Sequence, residues 1–266
     1  VSATKLRRAQ GRAEKGGPYA DKMGEVLANL VGSLPPGAKV EHPLMEVRPE
    51  VRTVLLVPVA SDKGLAGSFN SNVAREVRLQ VARWEGQGVQ VRLLPIGKKI
   101  REMLKRDPRV VDSFAGLDQN IPIGELRTIT DRLVGLFTGG EVDRVDFIYT
   151  RFLSAATQRV VSEQFLPLSR EAETDAAPKT REYLFEPDPQ SLFISLLPAY
   201  ARVKVFFVLA QNFASEHAAR MVSMRNATDN AGELIKSLTL QRNKARQAAI
   251  TKELAEIVGG AEALKG

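Results

Sequence analysis

The chain has 266 residues, 44% hydrophobic, 6% aromatic and 26% charged, with 38 Lys and Arg against 31 Asp and Glu for a formal net charge of +7. It has no cysteine and two histidines, His42 and His217, which excludes disulfides, thiolate zinc sites and cysteine nucleophiles and leaves a histidine-rich metal site without ligands. The length exceeds what one core comfortably fills, so two modules, or one module with a long extension, are expected. Few aromatics and many alanines suit closely approaching helices, and the basic balance calls for acidic company: nucleic acid, acidic protein surfaces or membrane headgroups. No run of about 18 apolar residues stands out, so nothing is expected to cross a membrane. The chain opens at Val1 already in helical register, and residues upstream of it are expected.

From Val1 to Leu34, the residues Leu6, Ala9, Ala13, Met23, Val26, Leu27, Leu30 and Leu34 recur at a roughly helical period, with Lys5, Arg7, Arg8, Arg12 and Lys15 between them. This predicts an amphipathic helix. Gly16-Gly17-Pro18 predicts a kink within it, and Pro35-Pro36-Gly37 its end. The β-branched run Thr53 to Val59, bounded by Ser61-Asp62-Lys63-Gly64, predicts a buried strand of the parallel kind.

Helix is expected over Asn70 to Trp84, strand over Val89 to Ile96, helices near Lys98 to Arg106 and Ile123 to Phe137, and strands over Arg144 to Phe152 and Val160 to Leu168. Such alternation implies βαβ units and a mostly parallel, Rossmann-like sheet. Ser169 to Lys179 reads as a loop and Tyr183 to Phe185 as a short strand. From Arg202 to Val258 there is no proline and one glycine, Gly232, so a helix of up to 57 residues is possible, reaching roughly 85 Å at about 1.5 Å per residue. Met224, Ala227, Ala231, Leu234, Leu238, Gln241, Ala245 and Ala248 step by threes and fours, the period of a coiled-coil seam, and the N-terminal helix is the expected antiparallel partner. The organisation is therefore residues 1–50 as an N-terminal coiled-coil helix and linker, 51–190 as an α/β domain, and 191–266 as a C-terminal coiled-coil helix.

An α/β domain raises the question of nucleotide chemistry. Gly97-Lys98 lacks the rest of a P-loop, since Arg92 stands where the first glycine belongs and Lys99 where Ser or Thr belongs. Asp62 to Ser68 lies between a strand and a helix, but its glycines are three apart and a Gly-x-Gly start is missing. A tight structural turn built by Asp62, Gly64, Gly67 and Asn70 is the favoured reading, with glycine supplying positive φ and Asn70 or Asn72 capping or flanking the following helix. Asp143 with Asp146, and Asp107 with Asp112, read as solvated carboxylates without acid–base partners. Ser61 and Ser154 lack a nucleophile-elbow context. His42 and His217 read as structural or surface residues.

Several blocks, in order along nearly the whole chain, resemble the γ subunits of rotary F-type ATP synthases. They are Lys5-Leu6-Arg7-Arg8-Ala9-Gln10, Pro18-Tyr19-Ala20, Ser61-Asp62-Lys63-Gly64-Leu65 with Phe69-Asn70-Ser71-Asn72, Arg220-Met221-Val222-Ser223-Met224, Ala227 to Ala231, Asn243 to Ala248, and Ile250 to Ala263. Ala66 and Ser68 depart from the family's usual cysteine and glycine. The resemblance implies a non-catalytic central-stalk rotor, its terminal helices pairing as a coiled coil inside a ring of three α and three β subunits. It implies a foot on the ε subunit and the ring of c subunits, no cofactor, and a place on the cytoplasmic face of a bacterial membrane. By the same resemblance Arg246 and Gln247 contact a β loop, Thr251 and Glu253 are neighbouring positions in that contact zone with β, and Arg220 contacts the helical lever of β. Two competing readings are a stand-alone α/β nucleotide-binding enzyme with a helical arm and a basic coiled coil that binds nucleic acid. Neither accounts for the ordered set of motifs.

Overall fold

The computed structural model describes residues 2–32, 42–168 and 189–263. The expected turn at Pro35-Pro36-Gly37, the loop Ser169 to Lys179 and the strand Tyr183 to Phe185 lie outside the described residues. The described chain divides into two compact units, Val1–Met221 and Val222–Gly266.

The first unit opens with helix α1, Ser2–Gly32. It passes through Pro18 as one helix, so the predicted interruption does not end it. Proline removes one backbone donor, and the buried stripe Leu6, Ala9, Ala13 and Leu27 holds the helix on both sides of that position. After a short 3₁₀ turn, Pro43–Met45, come β1 (Thr53–Pro58), α2 (Phe69–Glu85), β2 (Gln90–Leu93), α3 (Lys98–Leu104), α4 (Ile123–Thr138), β3 (Arg144–Phe152) and β4 (Gln158–Leu166). Helix α5 runs Pro189–Ala263. It begins earlier than the proline-free stretch predicts, because Leu197, Tyr200 and Ala201 are buried around Pro198 and their packing carries the helix through it.

The sheet has the order β2-β1-β3-β4. β1 pairs in parallel with β2 and with β3, and β4 closes the edge antiparallel to β3. A hairpin turn joins β3 to β4, whereas the parallel pairs require helical crossovers. Alternate residues of β1 face opposite cores. Val54 and Leu56 pack with Val73, Val77 and Val81 of α2 and Ile100 of α3. Leu55 and Val57 lie in the larger core with Ile129, Leu133 and Phe137 of α4, Ala9, Ala13 and Leu27 of α1, and Leu197, Val205, Leu209 and Phe213 of α5.

The long C-terminal helix thus packs on the N-terminal helix, but the packing falls earlier in α5 than the predicted seam. Leu234 and Leu238 of that seam are 59% and 53% exposed. A three-and-four repeat announces an apolar stripe without naming its partner. Within Ile194–Ala261 an 18-residue window reaches a mean hydropathy of 1.3. By length and composition alone this helix could cross a membrane, which corrects the expectation that none could. Arg202 and Lys204 interrupt the apolar run, while the mean stays high. The buried face of α5 in the first unit, with Val205, Val208 and Leu209, belongs to the sheet's core.

Candidate functional site

The stretch from β1 to α2 is built from side chain to backbone contacts. Ser61 is buried, and Asn70 Oδ1 accepts from its N–H at 3.0 Å and its hydroxyl at 2.9 Å. Asn70 lies inside α2, whose N-cap is Ser68 without a side-chain cap bond. Asn70 therefore ties the strand exit to the helix: it flanks the helix start within the first turn and does not cap it. Gly67 has φ of 58°, but the other left-handed residue of the turn is Leu65, at 63°, rather than Gly64.

Asp62 works across a greater span. Its Oδ1 accepts from Lys98 N at 2.7 Å and Gly116 N at 3.1 Å, and Ser61 O accepts from Lys99 N at 3.0 Å. The backbone donors at the start of α3, where an anion would sit in a phosphate cradle, are thus already taken by the protein's own carboxylate and carbonyl. Gly97 immediately before them has φ of +112°, and a Cβ there would stand 2.3 Å from Ala60 O. In the sequence Gly97 stands out only as half of a Gly-Lys pair. Its position between a strand and a helix was the signal for a required glycine.

Arg220 reaches the same turn. Its Nε donates to Gly64 O at 3.1 Å, while one Nη donates to Lys63 O at 3.4 Å and to Glu216 Oε1 at 2.6 Å. Glu216 is 2% exposed. Burial raises its pKa, and the Arg220 guanidinium opposes that rise. Beside it His217 is buried, with Nε2 3.1 Å from Gln119 Oε1. Burial first, then the cations Arg220, Lys5 and Lys63, lower its pKa to about 4, so the ring is neutral at physiological pH. His42 accepts through Nδ1 from Leu44 N at 3.1 Å and caps the 3₁₀ turn.

Two carboxylates expected in solvent are instead withdrawn from it, Asp146 buried and Asp143 half-buried. Asp146 is 3% exposed and bonded to Arg144 Nε at 2.7 Å. Asp143 accepts from Arg48 Nη1 at 2.6 Å and from the N–H groups of Arg52 and Thr53 at 2.8 Å each. Of the other pair, Asp107 binds Arg109 and Asp112 binds Arg132. Among the described residues no three His, Asp or Glu side chains converge to hold a metal ion.

In the second unit α5 stays helical to Ala263, and Arg246, Gln247, Thr251 and Glu253 are all exposed. Ile235, Leu240, Leu254, Ile257 and Val258 of the same helix are 56 to 68% exposed. Exposed apolar surface in such quantity marks an interaction surface.

Fold and site define a partner-binding α/β protein with long terminal helices. A family described as ATP synthase matches residues 1–264. The chain is 42% identical to the ATP synthase gamma chain of Symbiobacterium thermophilum and 41% identical to that of Flavobacterium psychrophilum, in each case over 100% of this chain and 91% of the relative. Among solved structures it is similar to a chain of the Tetrahymena thermophila mitochondrial ATP synthase central stalk and c-ring, with 27% identity, a TM-score of 0.63, and coverage of 86% of this chain and 96% of that one. A rotor chain of the Euglena gracilis mitochondrial enzyme, 16% identical with a TM-score of 0.56 over 93% of this chain and 99% of that one, shares the fold. The chain belongs to the ATP synthase gamma-chain family, as the non-catalytic rotor subunit in the central stalk of an F-type ATP synthase.

Proposed function

We propose that this rotor carries torque between a ring of c subunits and a head of three α and three β subunits, coupling ion translocation to ATP synthesis, with its foot also on the ε subunit. The observation that carries the head contact is the exposed apolar surface of α5 beyond Val222, with Leu234, Leu238, Leu254 and Ile257 each more than half exposed. Burying one such side chain at an interface is favourable by roughly 1.5–3 kcal/mol, so an apolar-lined ring is the environment this helix suits.

On this reading residues 191–266 and 1–50 form the inserted helices and residues 51–190 the domain outside the head. Arg246 and Gln247 grip a β loop, with Thr251 and Glu253 in the same contact zone. A guanidinium can hold an acidic loop through two parallel hydrogen bonds. Arg220 would reach the lever of β only by sharing or exchanging its bonds to Glu216 and Gly64. The subunit binds no cofactor of its own. That reading is supported by the start of α3, where Asp62 and Ser61 occupy the donors a phosphate would need. The complex lies on the cytoplasmic face of a bacterial inner membrane, a reading supported by the bacterial relatives.

The test is the ATPase activity and particle mass of purified α and β subunits with and without this chain. A 1:3:3 particle with raised turnover, and no turnover by the chain alone, is the expected result. Absence of association with α and β would sink the proposal. In the assembled particle Arg246→Ala is expected to lower cooperative ATP turnover while the chain stays folded, and unchanged turnover would remove Arg246 from the contact.

A further inference from the structure

We propose that the turn Asp118 to Ile121 is a clip that fastens both terminal helices to the α/β fold, with Arg12 and His217 as the residues through which twist passes into the domain. Gln119 is its centre. The Gln119 backbone carbonyl accepts from Arg12 Nη1, and Asn120 Oδ1 beside it accepts from Arg12 Nη2. On its other side the Gln119 side chain meets His217 Nε2 at 3.1 Å. One residue therefore touches α1 and α5 at once, and it belongs to neither helix.

The turn is made rigid from within. Ile121 N donates to Asp118 O at 2.8 Å, Asn120 N to Asp118 Oδ1 at 2.8 Å, and Asp118 N to Glu125 Oε2 at 3.1 Å. Ile121 has φ of 53° and is 6% exposed. A β-branched residue takes that conformation only where its surroundings impose it, and here the side chain is held in the larger core. Its neighbour Pro122 leads directly into α4, so the clip is anchored to a helix that lies on the sheet.

Twist is the load for which such a clip matters. Apolar packing is non-directional, and a helix of small side chains can rotate slightly against a core at little cost. A guanidinium with two acceptors and an imidazole with one fix orientation as well as distance. Arg220 adds a second fastening on α5 through Gly64 O and Lys63 O. Helix α1 has the Arg12 contact at this turn, which makes Arg12 and Gln119 the decisive positions.

The inference rests on the rotor reading, and the experiment separates the two. The complex with α and β is fixed by its head, and a bead is attached at Gln87→Cys, an exposed position in a chain that has no other cysteine. Angular fluctuation at rest and ATP-driven rotation are then recorded. Arg12→Ala is expected to raise the angular variance about twofold with ATP hydrolysis unchanged, since thermal variance reports the stiffness of the connection. Arg12→Lys, which keeps a donor, is expected to recover part of the difference. Gln119→Met keeps the backbone carbonyl and the volume but removes the contact to His217. It decides the matter through a rise of its own if Arg12→Ala does not assemble. Variance equal to that of the unaltered chain in both assembled variants overturns the clip while leaving the rotor intact. Failure of the unaltered complex to rotate overturns the rotor reading itself.

Discussion

Asp143 holds Arg48 and two backbone N–H groups that precede and begin β1, so one carboxylate at the start of β3 sets the entry of its neighbouring strand. Burial alone would raise its pKa, but the Arg48 side chain and the donors of Thr53 and Arg52 hold it below the usual carboxylate range. Asp143→Ala would leave those partners without an acceptor. We expect a loss of roughly 2–4 kcal/mol in unfolding free energy, measured by denaturant titration of the purified chain. This role was illegible in the sequence because Arg48 lies 95 residues away; only the partner two residues distant, as in Arg144 with Asp146, was within reach of spacing arguments. At Gly97 both the +112° φ and the Ala60 carbonyl exclude a side chain, and Gly97→Ala is expected to cost roughly 3 kcal/mol in the same titration. His217 carries a pH signature. Its folded pKa of about 4 lies below the ordinary 6.5, so the unfolded chain binds the extra proton between those values. The contribution of His217 is complete above pH 6.5 and is lost as pH falls toward 4. Glu216, with its raised pKa, acts in the opposite direction. The His217→Leu variant should therefore show a shallower acid loss of stability than the unaltered chain, and parallel stability–pH curves would contradict this.

At the scale of elements, the strands were legible because their apolar runs are short, β-branched and bounded by turn residues, as in Thr53 to Val59 before Ser61-Asp62. The antiparallel edge was less so, since Gln158 to Leu166 carries no mark of direction beyond the short turn at Ser154 to Thr157 that links it to β3. In α5 one helix carries two kinds of face. Around Leu197 to Ala214 the apolar residues are buried in the chain's own core, whereas beyond Val222 residues of the same chemistry are exposed. Periodicity reads both as a stripe seeking a partner, and only packing separates the inner partner from an outer one. This division yields contrasting expectations. Leu209→Ala, at 1% exposure, should cost about 2–5 kcal/mol in the isolated chain. Leu238→Lys should change that stability by less than about 0.5 kcal/mol and instead weaken association with α and β subunits, measured as the yield of assembled particle.

At the scale of the whole molecule, stability is divided as unevenly as function. The first unit encloses two hydrophobic clusters, one on each face of the sheet. The second unit is a continuation of α5 whose residues from Arg225 to Ala261 are exposed, apart from Gly232 and Asn243, which are half-buried. A helix without a packed face depends on its own backbone bonds, and these open locally at small cost. A rotor tolerates this if the missing face is supplied by the head that surrounds it. Amides of α5 beyond Val222 should therefore exchange with solvent rapidly in the isolated chain, while those of β1 and β3 exchange only on global unfolding. On assembly with α and β, exchange in the second unit should slow by at least about tenfold, since each tenfold corresponds to about 1.4 kcal/mol of added protection. Hydrogen exchange resolved by mass spectrometry on the free chain and the assembled particle makes the comparison. Protection already high in the free chain would mean that this helix holds itself, and its exposed leucines would then need another explanation.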